Sequence, residues 1–377
     1  MALALVFVAA LLAQVSSQPV SAAEVGLGSP AVKAPGGLAA AAETPGHALE
    51  ISGYATLTGA WTQADPQLLT IGRNNGFALA DARIELTGRP TGSVWVYFSL
   101  DGAAAIRGAD PVAGRRAVEL RDAYGVWSPG GHLRFQAGQF KAPQDVESLL
   151  EHTELKFPSR SIVAEGVSAP FGYGAEGLAL DRQLGIAAGT DRVPLGQGGL
   201  VAQVALMNGN GANQLLNDTQ YPSVIGRVSL DLGGALSLGA DGYFQPRGSG
   251  TQPTYFRDNV TGGGLDVRYQ RGPWHALLLA QLRNTHHVTS RAPDERALGL
   301  SGEGAYRFGV LEPALRVSYL DPSSQIPTAV ITWITAGVNL YAPSAPARLS
   351  LDFTHRIEQA ARSLDNDGVE LAAQVRF

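Results

Sequence analysis

The chain has 377 residues, a formal net charge of −5, 46 glycines and no cysteine. The missing cysteine excludes a disulfide framework, a thiolate metal site and a cysteine nucleophile, and the mildly acidic balance gives no footprint for nucleic acid. Length alone leaves open two ordinary domains or one large all-β unit.

Residues 2–13 form an apolar run that ends in Ser21-Ala22-Ala23, the layout of a secretory signal peptide spanning residues 1–23. No basic residue precedes the run, so the true start is expected upstream of Met1. Gln14 and Ser16 interrupt it before it reaches the roughly 18 residues a membrane helix needs. No later segment is long and apolar enough for such a helix, so the exported protein is either soluble or a membrane barrel. Residues 24–46, rich in Ala, Gly and Pro, read as a flexible lead-in.

From His47 to Phe377 apolar residues return at every second position, between turns rich in Gly, Pro, Asn and Asp. In DARIELTG, Ala82, Ile84 and Leu86 share one face and Asp81, Arg83 and Glu85 the other. VELRDAYGVW breaks the rule by putting Asp122 on the side of Leu120 and Tyr124, which calls for a bulge or a buried pair. Residues 135–161, FQAGQFKAPQDVESLLEHTELKFPSRS, begin as a strand, pass Pro143 and turn into a charged amphipathic run of helical appearance. IGRVSLDL alternates again through Val228, Leu230 and Leu232, whereas WHALLLAQLR is apolar on both faces through Leu277 and Leu279. That double face predicts a subunit contact or a loop packed inside. LEPALRVSYL, RLSLDFTH and the closing GVELAAQVRF each oppose an apolar face to a charged one.

Alternation does not by itself separate a barrel from a soluble sandwich, whose polar faces also meet water. Strand number does: about sixteen segments at roughly twenty residues each fit an all-β transmembrane antiparallel barrel over residues 47–377. Trp127, Phe244, Trp274, Tyr306, Phe308, Tyr341 and Phe377 sit near segment ends, where interfacial girdles form.

Motifs for chemistry are weak. Gly172, Gly174 and Gly177 have dinucleotide-fingerprint spacing, but a strand pattern follows where a helix is required. His286 and His287 are adjacent and do not share a helical face, so no metal site is expected. No Gly-x-Ser-x-Gly elbow occurs. The chain is expected to be no enzyme and to need no cofactor. Strand parity instead sends Arg83, Arg134, Arg227, Arg268, Arg283, Arg307, Arg316, Arg348 and Arg376 to the lumen, where guanidinium groups attract anions. Asp81, Glu85, Asp101, Asp231, Asp241, Asp266, Glu303, Glu312, Asp352 and Glu370 share that face, and cross-strand pairing would neutralise both sets. Only a local segregation of the arginines would favour anions.

LRDAYGVW followed by LRFQAGQFKAP, then ELKFPSRS, DRQLGIAAG, LMNGNGAN, VIGRVSLDL, RGPWHALLLAQ and LEPALRVSYLD resemble, in order and spacing, segments of the phosphate-selective porin O and P family of Gram-negative outer membranes. The resemblance runs from Gly76 to Phe377. It implies a sixteen-stranded barrel, a homotrimer, and a third loop folded inward as a constriction, with FQAGQFK as the fifth strand. Lys141, Lys156 and Arg160 would then meet the permeating solute, a small anion such as phosphate. Phe377 would be the C-terminal aromatic read by the barrel-insertion machinery, and outer-membrane lipid would surround the wall. Lys33, Lys141 and Lys156 are the only lysines, and Glu147, Glu151 and Glu154 crowd the same loop, which departs from the family's basic constriction. The expected function is a passive outer-membrane diffusion channel; the alternatives are a general porin without anion preference and a non-conducting structural barrel.

Overall fold

Side chains two apart on a strand share a face, so each alternating segment presents one apolar and one polar face, and only a sheet that closes on itself leaves no strand edge unpaired. The computed structural model describes residues 48–73, 75–105, 116–214, 216–250, 254–290, 292–360 and 362–377; the signal peptide expected over residues 1–23 and the lead-in expected over residues 24–46 lie outside the described residues. Sixteen strands follow in order: β1 (Ala48–Thr62), β2 (Gly76–Thr91), β3 (Val94–Ala105), β4 (Arg116–Gly130), β5 (Leu133–Lys141), β6 (Arg182–Thr190), β7 (Gly198–Met207) and β8 (Ser223–Asp231). The second half holds β9 (Leu236–Ser249), β10 (Phe256–Arg271), β11 (Trp274–His287), β12 (Glu295–Tyr306), β13 (Leu311–Asp321), β14 (Ile331–Tyr341), β15 (Ala347–Glu358) and β16 (Gly368–Arg376). The short piece Val193–Leu195 extends β6 against β7. Every strand is antiparallel to its chain neighbours, and β1 pairs with both β2 and β16, so the barrel has no free edge.

The two ends differ. Two-residue connections such as 92–93, 131–132 and 272–273 define a short-turn end, and the opposite end carries the long loops. Ile84, Val228, Leu315, Leu351 and Val375 are exposed on the outer wall, while Asp81, Arg83, Arg227, Arg316 and Asp352 are buried within, as the alternation predicts. Trp127, Trp274, Phe308 and Phe377 are exposed at or near strand ends, and Tyr306 links Trp274 and Phe308 with ring centroids 4.5 and 4.3 Å away; Phe244, expected with them, is exposed but lies within β9, because that strand runs on to Ser249 past the end of the alternating segment. Tyr341 departs from the expected girdle: it pairs with lumenal Arg348, and its hydroxyl donates to Glu312 at 2.8 Å. At a strand's last residue, position near an end says nothing about which face the ring takes.

Both irregular segments resolve. The register of β3 and β4 shifts between Ser99 and Leu100, which turns Asp122 inward to accept from Ser99 Oγ and Arg182 Nε, each at 2.9 Å. Thus a bulge and a buried pair coexist. Leu277 and Leu279 are buried inside the barrel. Leu279 packs with Ile162, Val163, Val167 and Leu178, so the extra apolar face of β11 receives a loop.

Candidate functional site

That loop joins β5 to β6 and occupies the lumen. Its helical appearance is realised only in two single turns, α1 (Val146–Leu149) and α2 (Ile162–Glu165). Asp145 at φ 47° begins α1 and accepts from Glu147 N at 3.2 Å and Ser148 Oγ at 2.9 Å; Ser161 caps α2. The rest is held by side chains, because a loop this far from other backbone has few ladder partners. Glu147, buried between the two turns, accepts from Ser161 N at 2.7 Å and from Ser161 Oγ.

The barrel wall grips the loop on several sides. On β2, Arg83 reaches Glu151 at 3.3 Å and Asp81 meets His152 Nδ1 at 3.1 Å. On β9 and β11, Asp241 accepts from Asp145 N at 3.3 Å, and Gln281 accepts from Gln144 at 2.8 Å. On β11, Arg283 donates to Gly177 O at 3.1 Å. On β13, Arg316 donates to Ser159 O at 2.8 Å and lies 4.4 Å from the Phe157 ring centroid. On β14 and β15, Asn339 donates to Lys156 O at 2.8 Å and Arg348 donates to Leu155 O. Two apolar contacts complete the seat: α2 rests on Leu279, Ala297, Leu320 and Ile331, and the stem residues Ala142 and Leu180 join Tyr97, Tyr124, Phe140, Met207 and Ile225.

The three loop cations expected to face solute all have protein partners. Lys141 Nζ donates to Leu149 O, Leu150 O and Glu151 at 3.2, 3.0 and 2.9 Å. Lys156 meets Glu312 at 3.0 Å. Arg160 donates to Glu147 O at 3.1 Å and Leu150 O at 2.9 Å, touches His152, and pairs with Glu165 at 3.3 Å. Their side chains keep 13, 17 and 11% exposure. Burial pushes the Glu151 carboxyl up, but Lys141 and then Arg83 outweigh it and hold it well below the usual carboxylate range. Burial, with Arg160, lowers the His152 imidazole against the pull of Asp81.

Every arginine assigned to the lumen lies at an inward position, but in different states. Arg83, Arg227, Arg316 and Arg348 are buried; Arg227 bridges Asp241 at 3.4 Å and Asp266 at 2.7 Å. Arg283 pairs with Glu176 at 3.0 Å, and Arg134 lies 5.3 Å from the Trp95 ring centroid. Arg268, Arg307 and Arg376 stand apart at the short-turn end. Sequence parity missed Arg121, Arg182 and Arg356. The bulge that rotates Asp122 also moves Arg121, which ends 4.0 Å from Glu119. Arg182 follows directly on the loop, where no alternation precedes it, and Arg356 packs on Trp333 at 4.6 Å next to His355, which interrupts the outward apolar series of Leu351, Phe353 and Ile357. The bulge was the one readable signal, since Asp122 broke the pattern.

No protein-family model and no curated protein matches the chain. Solved structures do. The anion-selective porin from Comamonas acidovorans aligns at TM-score 0.62 and 16% identity, over 88% of this chain and 100% of that one. The outer membrane channel DcaP of Acinetobacter baumannii aligns at 0.60 and 14%, over 90% and 100%, and OmpF of Salmonella typhi at 0.58 and 13%, over 87% and 97%. At such identities the likeness carries architecture and no solute preference. The chain therefore has the fold of the sixteen-stranded outer-membrane porins.

Proposed function

We propose that the protein is a porin of a bacterial outer membrane, a passive channel through which small hydrophilic solutes follow their gradient, with phosphate and other small anions favoured. The observation that carries this reading is a closed wall, apolar outside and charged inside, with a loop folded into its lumen. Such a wall satisfies every backbone group in lipid while leaving polar side chains to water. The anion-selective porin of similar fold supports the solute class, phosphate preference rests on the sequence resemblance, and a homotrimer is favoured by the trimer form described for OmpT of Vibrio cholerae. Conduction needs weak sites, because an ion held too well does not leave.

A second reading is a non-conducting structural barrel. It draws on the same loop, which reaches Asp81 and Arg83 on one wall and Glu312 and Arg348 on another. Single-channel recording in a planar bilayer separates the two. Stepwise anion-selective currents reduced by added phosphate are expected; a folded barrel that stays silent would establish the structural reading, and cation-selective currents would remove the anion preference while keeping the channel. Lys156→Glu with Arg160→Glu is expected to lower anion over cation permeability, and an unchanged reversal potential would take both residues out of the solute path.

A further inference from the structure

Charge is not spread evenly along the axis of the barrel. At the level of the loop the sequence-assigned cations are spent on carboxylates and carbonyl oxygens, and the pattern changes at the short-turn end. Arg268, near the end of β10, pairs in register with Leu277, whose side chain is buried inside. Arg307, directly after β12, lies 4.2 Å from the ring centroid of lumenal Tyr341. Arg376, the last residue of β16, pairs with Tyr54, itself buried inside. Arg268 donates to Gln270 at 3.3 Å and Arg307 to Gly309 O at 3.0 Å. None of the three has a carboxylate within 4.0 Å among the described residues. The acids at this end are mostly engaged: Glu312 is held by Lys156 at 3.0 Å, Glu303 meets His275 at 3.0 Å, Asp231 is held by Arg192 at 2.6 Å and Asp191 lies within the field of Arg134, which leaves Glu50 and the carboxylate of Phe377.

We propose that the short-turn mouth is a positively charged vestibule that gathers small anions, and that Arg268, Arg307 and Arg376, more than the loop cations, set the channel's preference for them. The inference rests on the channel reading above and locates its selectivity. Guanidinium charge is fixed at any working pH, and a mouth walled by low-dielectric protein focuses such charge, raising the local anion concentration. A molecule with net charge of −5 can thus prefer anions, because the arginines segregate locally. The Debye length is about 10 Å at 0.1 M salt and about 3 Å at 1 M, so the preference fades as salt rises.

The test is the reversal potential of the full-length protein, extracted from outer membranes of expressing cells, in KCl gradients centred near 0.1 M and 1 M. The variants are Arg268→Gln/Arg307→Gln/Arg376→Gln together, and Arg271→Gln, whose side chain shares the outward register of Trp274 on the same rim. The triple variant is expected to lower the chloride-to-potassium permeability ratio by about threefold at 0.1 M and by much less at 1 M, and Arg271→Gln to leave it unchanged. If the triple variant does not fold, shown by loss of the heat-dependent gel shift, Arg307→Gln alone is read the same way with a smaller shift. A conducting variant with the wild-type ratio at both salts overturns the vestibule and leaves the channel reading intact. A folded wild type that does not conduct overturns that reading and the inference with it.

Discussion

At the scale of single residues the barrel interior is governed by the cost of isolated charge. Asp122 and Arg182 are both nearly inaccessible and 2.9 Å apart, and Ser99 supplies a further hydrogen bond. A buried pair is weak evidence for stability as such, but breaking it strands the surviving charge. Asp122→Ala is therefore expected to cost about 3–5 kcal/mol, read as a lower midpoint in urea unfolding of the detergent-solubilised barrel. Asp122→Ala with Arg182→Met, which removes both buried charges and leaves the exposed Asp181, 3.6 Å from Arg182, to solvent, should recover much of that loss, and equal damage from the single and double variants would show that packing at the bulge matters more than charge. Next to this pair Gly138 has φ 130°, and a Cβ there would meet Tyr124 Cα at 2.7 Å as well as Ala123 O, so the β4–β5 contact tolerates no side chain.

At the scale of elements, the loop between β5 and β6 depends on Glu147, which ties its two helical turns together. Burial pushes this carboxyl up to about 7; Arg316 of β13, 3.6 Å away, pulls it down, while Asp145 in the loop and Glu303 of β12 push it further up. Arg160 faces the same turn through Glu147 O. A folded-state value above the unfolded one means that the contribution of Glu147 to seating is complete below the ordinary carboxylate range, near 4.5, and is lost as pH rises through about 7. Limited proteolysis or hydrogen exchange within residues 145–165 is therefore expected to be slower at pH 5 than at pH 8.5. Glu147→Gln should flatten that difference; a pH dependence that survives the substitution would assign it to other groups. In the sequence, the family resemblance implied an inward loop after Pro143, and the doubly apolar β11 was compatible with such a loop or with a subunit contact. The sequence did not show how the loop is held, because Arg316, Arg348 and Asn339 grip carbonyl oxygens, and a carbonyl leaves no mark in sequence.

At the scale of the whole molecule, the strand pattern was legible because a closed wall with an apolar outer and a polar inner face imposes one rule on every strand, and Ile84, Val228 and Leu351 all obey it. Arg121 and Tyr341 escaped because a bulge and a strand end each suspend that rule. Closure of the barrel depends on one seam, between β1 and β16. There Phe377 N and O exchange hydrogen bonds with Gly53 O and N at 3.0 Å each, and the phenyl ring lies over Gly53 on the outer wall. A Cβ on Gly53 would come within 2.6 Å of that ring and also press on Arg83 O, so the small residue on β1 and the large one at the C-terminus are a matched pair. Gly53→Val is expected to fold poorly by obstructing the seam from within, whereas Phe377→Ala leaves the backbone hydrogen bonds possible and removes only the ring. If the ring's main role is recognition during membrane insertion, Phe377→Ala will lower the amount of barrel in the outer membrane severalfold, yet the purified variant will refold in detergent with a urea midpoint close to wild type. If its main role is to clamp the seam, the same variant will lose stability in detergent, and Gly53→Val will lose more. Parallel measurement of membrane yield and detergent unfolding for the two variants distinguishes these outcomes, and normal values of both for Phe377→Ala would remove the C-terminal ring from assembly and stability alike.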